Sequence, residues 1–243
     1  MSQNKKTGVQ EWAAKSVNIQ YGCENNCVYC YARKMAARFN RIPKLGWEHP
    51  EIKTARPPIP VNTSVMFPST HDITHGNLHL VLSILQKILG RGNKVLIVSK
   101  PRLECIQEIY NQCRYCLDFH KELVEFRFTI GTLDDTTRVK YEPGAPTIAE
   151  RYDCIKFLND HGIEPSISCE PILEEDINGG FSIIHSLLQY CKIKEIWIGS
   201  MQYCNLGPKL NYRAIYEYYK ENPKIRFKDS FFKQAKKTGV CLP

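Results

Sequence analysis

The chain has 243 residues, 43% hydrophobic and 24% charged, with a formal net charge of +8 at pH 7. That suits one large globular domain with a substantial core and excludes a disordered chain. The longest apolar run, Val95–Val98, is far short of the ~20 residues a membrane helix needs, so no membrane partner is expected. The opening residues, MSQNKKTGVQEW, carry no apolar stretch of the kind a secretory leader has, so the expected location is cytoplasmic. In that reducing compartment, eleven cysteines do not read as a disulfide framework. The positive charge permits a polyanionic partner without selecting one.

In chain order, short β-branched runs alternate with longer segments whose apolar residues recur at helical spacing. Strands are expected over Ser16–Tyr21, Val65–Pro68, Lys94–Ser99, Phe126–Thr132, Pro165–Cys169 and Glu195–Ser200. Helices are expected over Tyr29–Asn40, Leu78–Leu89, Leu103–Phe119, Ile148–His161, Phe181–Cys191 and Tyr212–Tyr219. Pro146-Thr147 opens the fourth of these and Gly162 stops it. The strands are mostly continuous apolar runs, which predicts a parallel sheet buried on both faces. Six strand–helix units make an α/β fold, either an open doubly wound sheet or a barrel. In both, the chemistry sits in loops at the C-terminal ends of the strands.

Residues 1–243 read as a single domain with two interruptions. Residues 41–63 hold Pro43, Pro50, Pro57, Pro58 and Pro60 and are expected to form a long surface insertion. Residues 224–243 are expected to be a basic–aromatic tail; in KIRFKDSFFKQAKK the phenylalanines could stack bases and the lysines meet phosphates. In an extended segment only one of Phe231 and Phe232 can face outward.

The loop YGCENNCVYCYARKM places Cys23, Cys27 and Cys30 at C-x3-C-x2-C spacing, just after the first strand. Structural zinc wants four ligands, usually from two paired motifs. Cys113 and Cys116 are a second pair, but they lie within an expected helix. Three thiolates from one short loop suit three corners of a cubane [4Fe–4S] cluster, leaving one iron open for another ligand. A ferredoxin would close that corner with a fourth cysteine.

This spacing, with Tyr29 immediately before the third cysteine, resembles the signature of the radical S-adenosylmethionine superfamily. The resemblance implies a partial (β/α)6 TIM-type barrel and a [4Fe–4S] cluster on Cys23, Cys27 and Cys30. It also implies S-adenosylmethionine on the open iron, cleaved by one electron to a 5′-deoxyadenosyl radical that abstracts hydrogen from a substrate. The electron would come from a donor such as flavodoxin or ferredoxin. Residues Thr129–Ile163 and the LIVSKP element resemble the spore photoproduct lyase and DNA repair photolyase-like branch. YCYARKMAARF and FFKQ resemble a phage-associated radical SAM family of unknown function.

On that footing Lys100 is expected to pair with the cofactor carboxylate, the alternative being a surface lysine. Thr129 and Ser168 are expected to contact the cofactor, or else to bond neighbouring backbone. Tyr29 is expected to reach the adenine through the loop, and Ser69 and Thr70 to lie near the cofactor amino group. The usual glycine-rich form of that last element is absent. Glu170 is expected at a ribose hydroxyl, at the substrate or in solvent, and Arg151 on the helix face nearest the sheet or else in a salt bridge with Glu142 or Asp153. The lyase's hydrogen-donor cysteine has no counterpart in STHDITHGN. Cys169 is a candidate donor unless it is a buried strand residue, and Tyr31 a candidate relay or substrate contact unless it packs on the loop. The readings are a radical SAM enzyme acting on a nucleic acid base, one acting on a small molecule or peptide, and a non-catalytic Fe–S or zinc module.

Overall fold

The computed structural model describes residues 8–55, 57–173, 179–201 and 210–242; residues 1–7, read above for a leader, lie outside them. The strands are β1 (Lys15–Ser16), β2 (Gln20–Tyr21), β3 (Glu51–Ile52), β4 (Ser64–Met66), β5 (Lys94–Ser99), β6 (Val124–Thr129), β7 (Ser166–Cys169), β8 (Ile196–Ile198) and β9 (Ile225–Phe227). The helices are α1 (Tyr31–Arg38), α2 (Leu78–Leu89), α3 (Leu103–Phe119), α4 (Asp135–Tyr141), α5 (Ile148–Asp160), α6 (Gly179–Tyr190), α7 (Tyr212–Tyr219) and α8 (Asp229–Lys237).

Seven strands form one sheet in the order β1-β4-β5-β6-β7-β8-β9, every pairing parallel. The order follows the chain and never reverses. A doubly wound sheet reverses at a switch point, so this is an α/β partial barrel wound in one direction. Its outer face meets the helices in one core that joins Val95, Ile97, Phe126, Phe128 and Ile167 of the strands to Leu85, Ile109, Leu158, Leu187 and Ile215 of the helices. Among the described residues no helix is long and apolar enough to cross a membrane.

Both faces are buried as expected, but the inner one is mixed, setting Met66 and Leu96 beside Arg127, Thr129, Ser166 and Ser168. Along β6, Val124, Phe126 and Phe128 join the core, while Glu125, Arg127 and Thr129 point to the opposite face. Arg127 stands 4.9 Å from both the Trp12 and Trp197 rings and pairs with Glu125 at 2.8 Å and Glu195 at 3.0 Å.

Four regions differ from the sequence expectation. The expected first strand divides: β1 pairs with β4, and β2 turns away to pair antiparallel with β3. The partner strand comes from the proline-rich insertion, whose Trp47 is 4% exposed, so part of that segment folds back onto the protein. The C-terminal stretch forms β9 and α8. Phe231 lies fully inside the core, and Phe232 packs against it with its ring 5.8 Å from that of Tyr216. Helix α4 was not anticipated; Asp134 caps it by accepting from the Thr137 N–H at 2.7 Å.

Candidate active site

The cysteine loop is gripped from two sides. Gly22 has φ +85°, and a Cβ there would stand 2.8 Å from the Trp47 carbonyl and 2.9 Å from Pro43 and Pro50. The Cys23 N–H donates to that carbonyl at 2.7 Å. On the other side the Gly144 N–H donates to Asn25 O at 3.1 Å. A Cβ on Gly144 would stand 2.1 Å from Glu24 O, so only glycine allows this approach. Asn26 takes the left-handed φ of 44° that asparagine tolerates, and Cys30 caps α1, its thiol accepting from the Arg33 N–H at 3.4 Å.

Asp72, a residue the sequence reading passed over, ties this loop to the sheet. One oxygen accepts from Asn25 Nδ2 at 2.7 Å and from the Lys100 N–H at 2.9 Å. The other accepts from the Ile73 N–H at 2.8 Å and from the Ser99 hydroxyl. Arg102 completes the clamp by donating to Asn25 Oδ1 at 2.9 Å. Such a carboxylate has no sequence signature, since its donors come from three separate segments.

A cavity of ≈ 420 Å³ opens at the C-terminal ends of the strands. Its wall includes Cys23, Cys27, Tyr29, Cys30, Tyr31, Ser69, Thr70, Lys100, Thr129, Ser168 and Glu170. Cys169 is the exception among the sequence-named residues. It is fully buried on the helix side of β7, where period-2 alternation places it opposite Ser168. The structure therefore turns the candidate donor away from the cavity. Burial pushes its thiol up to about 12.

Lys100 is not a surface lysine. Its ammonium stands 3.8 Å from Glu142 and 5.6 Å from the centre of the Tyr29 ring. Glu142 is fully buried and accepts from Arg151 Nη2 at 2.5 Å and from the Tyr29 hydroxyl. Burial works against its charge, but Lys100 and Arg151 hold its pKa below the ordinary glutamate value. Arg151 takes the expected salt bridge with Glu142 and also donates to Thr129 O at 3.1 Å. Glu170 is neither solvent-facing nor free: Lys228 and Ser230 each donate to it at 2.8 Å. The Ser69 and Thr70 N–H groups both donate to Asn18 Oδ1 at 2.8 Å, and Asn18 Nδ2 donates to the Ser69 hydroxyl at 2.9 Å, so that turn offers a ligand its hydroxyls and not its N–H groups.

The donor set suits an iron–sulfur cluster. Burial pushes the Cys23 thiol up to about 12 and raises that of Cys27 as well, so deprotonation there calls for a compensating metal charge. Among the described residues no three His, Cys, Asp or Glu side chains converge on a single-ion site. Cubane ligands bind separate irons and need no such convergence. Trp47 packs with Cys23, Ala32 and Ala36, and its indole Nε1 is buried without a partner. Sulfide or thiolate of a bound cluster is an acceptor that would match such a buried donor.

The structure superposes on spore photoproduct lyase complexed with dinucleoside spore photoproduct with a TM-score of 0.52 at 16% identity, covering 86% of this chain and 61% of that one. It superposes on SuiB of Streptococcus suis bound to S-adenosylmethionine with a TM-score of 0.54 at 10% identity, covering 88% and 49%. A radical SAM methyltransferase from Sphaerobacter thermophilus gives 0.58 at 11% identity, covering 89% and 66%. The chain thus shares its fold with these three proteins, and spans about 61% of the length of the lyase it resembles. No protein-family model and no curated protein matches the sequence.

Proposed function

We propose that this chain is a radical S-adenosylmethionine enzyme whose substrate is a nucleic acid base, in repair or modification. One observation carries the reading: the three cysteines and seven of the polar residues named for the cofactor line a single cavity at the functional edge of the barrel. When bound, the cluster and S-adenosylmethionine supply hydrogen-atom abstraction from an unactivated carbon.

The chain's own residues have assignable tasks. Cys23, Cys27 and Cys30 hold the cluster. Lys100 faces the cofactor carboxylate, with Glu142 and Arg151 fixing its position from behind. Tyr29, through the loop backbone, with Thr129 and Ser168 orients the nucleoside part, and Thr70 lies near the cofactor amino group. Tyr31, which donates to Ser69 O, stands at the rim where substrate enters. The cavity walls limit water around the reacting carbon. A protein such as flavodoxin or ferredoxin supplies the electron.

The base reading is supported by the dinucleoside bound to the lyase with the same fold and by the +8 charge. A base within a duplex would have to be flipped or already unpaired to reach the cavity. Anaerobic reconstitution is the test: about four irons per chain are expected, with 5′-deoxyadenosine formed in the presence of S-adenosylmethionine and dithionite. C23A, C27A or C30A should each abolish both. Stoichiometric zinc without a brown chromophore would return the chain to a non-catalytic module. Turnover on small molecules or peptides, and none on DNA or RNA, would transfer it to the second class of substrate.

A further inference from the structure

Between Asn25 and Trp47 the chain carries five cations, Arg33, Lys34, Arg38, Arg41 and Lys44, and no carboxylate. No ion pair among the described residues engages any of them, and all five are exposed. They surround an apolar stripe. Helix α1 packs inward only through Ala32 and Ala36, so Tyr31, Met35 and Phe39, four residues apart, lie along its outer side at 38%, 39% and 53% exposure. The Arg38 and Arg41 guanidiniums stand 5.7 Å and 5.4 Å from the centre of the Phe39 ring. The stripe starts at the cavity, which Tyr31 lines.

We infer that α1 and the turn after it are the nucleic-acid platform of this protein, binding a single-stranded segment beside the cavity mouth. The inference rests on the base reading above and gives it a surface. Three features favour a polynucleotide over an acidic protein. The charge is of one sign over 23 residues (25 to 47), as suits a run of phosphates, whereas protein interfaces intersperse both signs. An exposed ring flanked by guanidiniums is a base-stacking surface. The stripe begins at the cavity rim, so one ligand can occupy platform and cavity together.

The test is fluorescence-anisotropy titration of a labelled mixed-sequence 20-mer of single-stranded DNA, and its RNA equivalent, onto full-length protein between 50 and 200 mM salt. K34Q/R38Q/R41Q/K44Q should lower the slope of log affinity against log salt by up to about 2.8, so the parent should lose up to roughly fifty-fold more affinity than the variant over that range. F39A should weaken binding about five- to a hundred-fold without changing the slope. K236Q/K237Q on α8 should change neither. Iron content and circular dichroism equal to the parent's establish that the variants fold. The inference is overturned if the parent does not bind, or if the quadruple variant binds with the parental slope. It is equally overturned if that variant keeps nucleic acid binding but loses flavodoxin-driven reduction of the cluster, which would assign the surface to an electron carrier. Iron loading is read separately, so a chain that binds DNA without a cluster would refute the enzyme reading alone.

Discussion

Two stretches of this chain read alike and fold differently. Tyr31–Lys44 and Lys224–Lys237 both mix rings with cations: Arg33, Lys34, Arg38, Arg41 and Lys44 in the first, and Lys224, Arg226, Lys228, Lys233, Lys236 and Lys237 in the second. In the second, Phe231 and Ala235 face the core, Lys228 pairs with Glu170 at 2.8 Å and Lys233 with Asp229 at 2.6 Å. In the first, only Ala32, Ala36 and Pro43 are buried, and the rings and cations stay outside. What separates a binding surface from a structural helix here is which residue falls one turn from which. The small residues at 32 and 36 leave α1 nothing large to bury.

Paired phenylalanine substitutions would break that comparison most directly. Phe231→Ala removes a fully buried ring and should cost about 3–5 kcal/mol in denaturant unfolding. Phe39→Ala removes a ring that is 53% exposed and should stay within about 0.5 kcal/mol of the parent. Equal losses would mean that α1 packs against something and is no open platform.

The next largest effect is acid sensitivity on the cysteine side of the barrel. His71 is buried there, accepting from the Ile19 N–H at 3.2 Å, and burial lowers its pKa from 6.5 to about 4. The folded state thus refuses a proton that the unfolded chain takes up. Stability from this group is complete above pH 6.5 and drains away as pH falls toward 4, by about 3 kcal/mol in all. The urea midpoint of His71→Gln should therefore fall less between pH 7.5 and 4.5 than the parent's. Parallel pH profiles would mean that His71 titrates normally.

Lys100 comes third. It stands 3.8 Å from Glu142, too far for a hydrogen bond, while Arg151 and Tyr29 already occupy that carboxylate. Its ammonium therefore remains available to an anion in the cavity. Lys100→Met should weaken S-adenosylmethionine binding about ten- to a hundred-fold, the worth of a charge-assisted bond of roughly 1.5–3 kcal/mol, with iron content unchanged. Unaltered affinity would make Lys100 a structural partner of Glu142 and nothing more.

The site's ingredients were far more legible in the sequence than their supports. Cysteine spacing and polar residues in apolar strands announce themselves locally, and Lys100, Thr129 and Ser168 all reach the cavity. Cys169 failed because it was read by its place at a strand end, when alternation from Ser168 sends it to the helix side. Asp72 and Asn25 went unassigned, and Glu142 was named only as a partner for Arg151, because each acquires its role from donors brought together only by folding. The hairpin of β2 and β3 was hidden in the same way. Each strand is two residues long, too short to show a period, and proline density pointed to solvent. β9 and α8 were missed because aromatic and basic residues were read by composition without testing for helical spacing, which Phe231 and Ala235 satisfy.

The smallest effect concerns that folded-back insertion. Trp47 is buried against Cys23, with its carbonyl accepting the Cys23 N–H at 2.7 Å and its indole N–H unpartnered. A hydrogen bond from that indole to cluster sulfur would favour the reduced form, which carries more negative charge, and so raise the potential. Trp47→Phe keeps most of the ring's packing and removes the N–H. If that bond differs by about 1 kcal/mol between oxidation states, the one-electron potential should fall by roughly 40 mV, since 59 mV corresponds to a tenfold change. Redox titration followed by electron paramagnetic resonance would measure this on protein with a full iron complement. An unchanged potential with iron retained would leave Trp47 as packing alone, while loss of iron would show that the insertion builds the loop. No comparable change is expected from Phe232→Leu on α8, because that ring packs on the core and is not among the α8 residues, Asp229, Ser230 and Lys233, that line the cavity. The pair of variants thus asks whether the insertion's indole acts on the cluster, where a ring on the packed side of α8 does not.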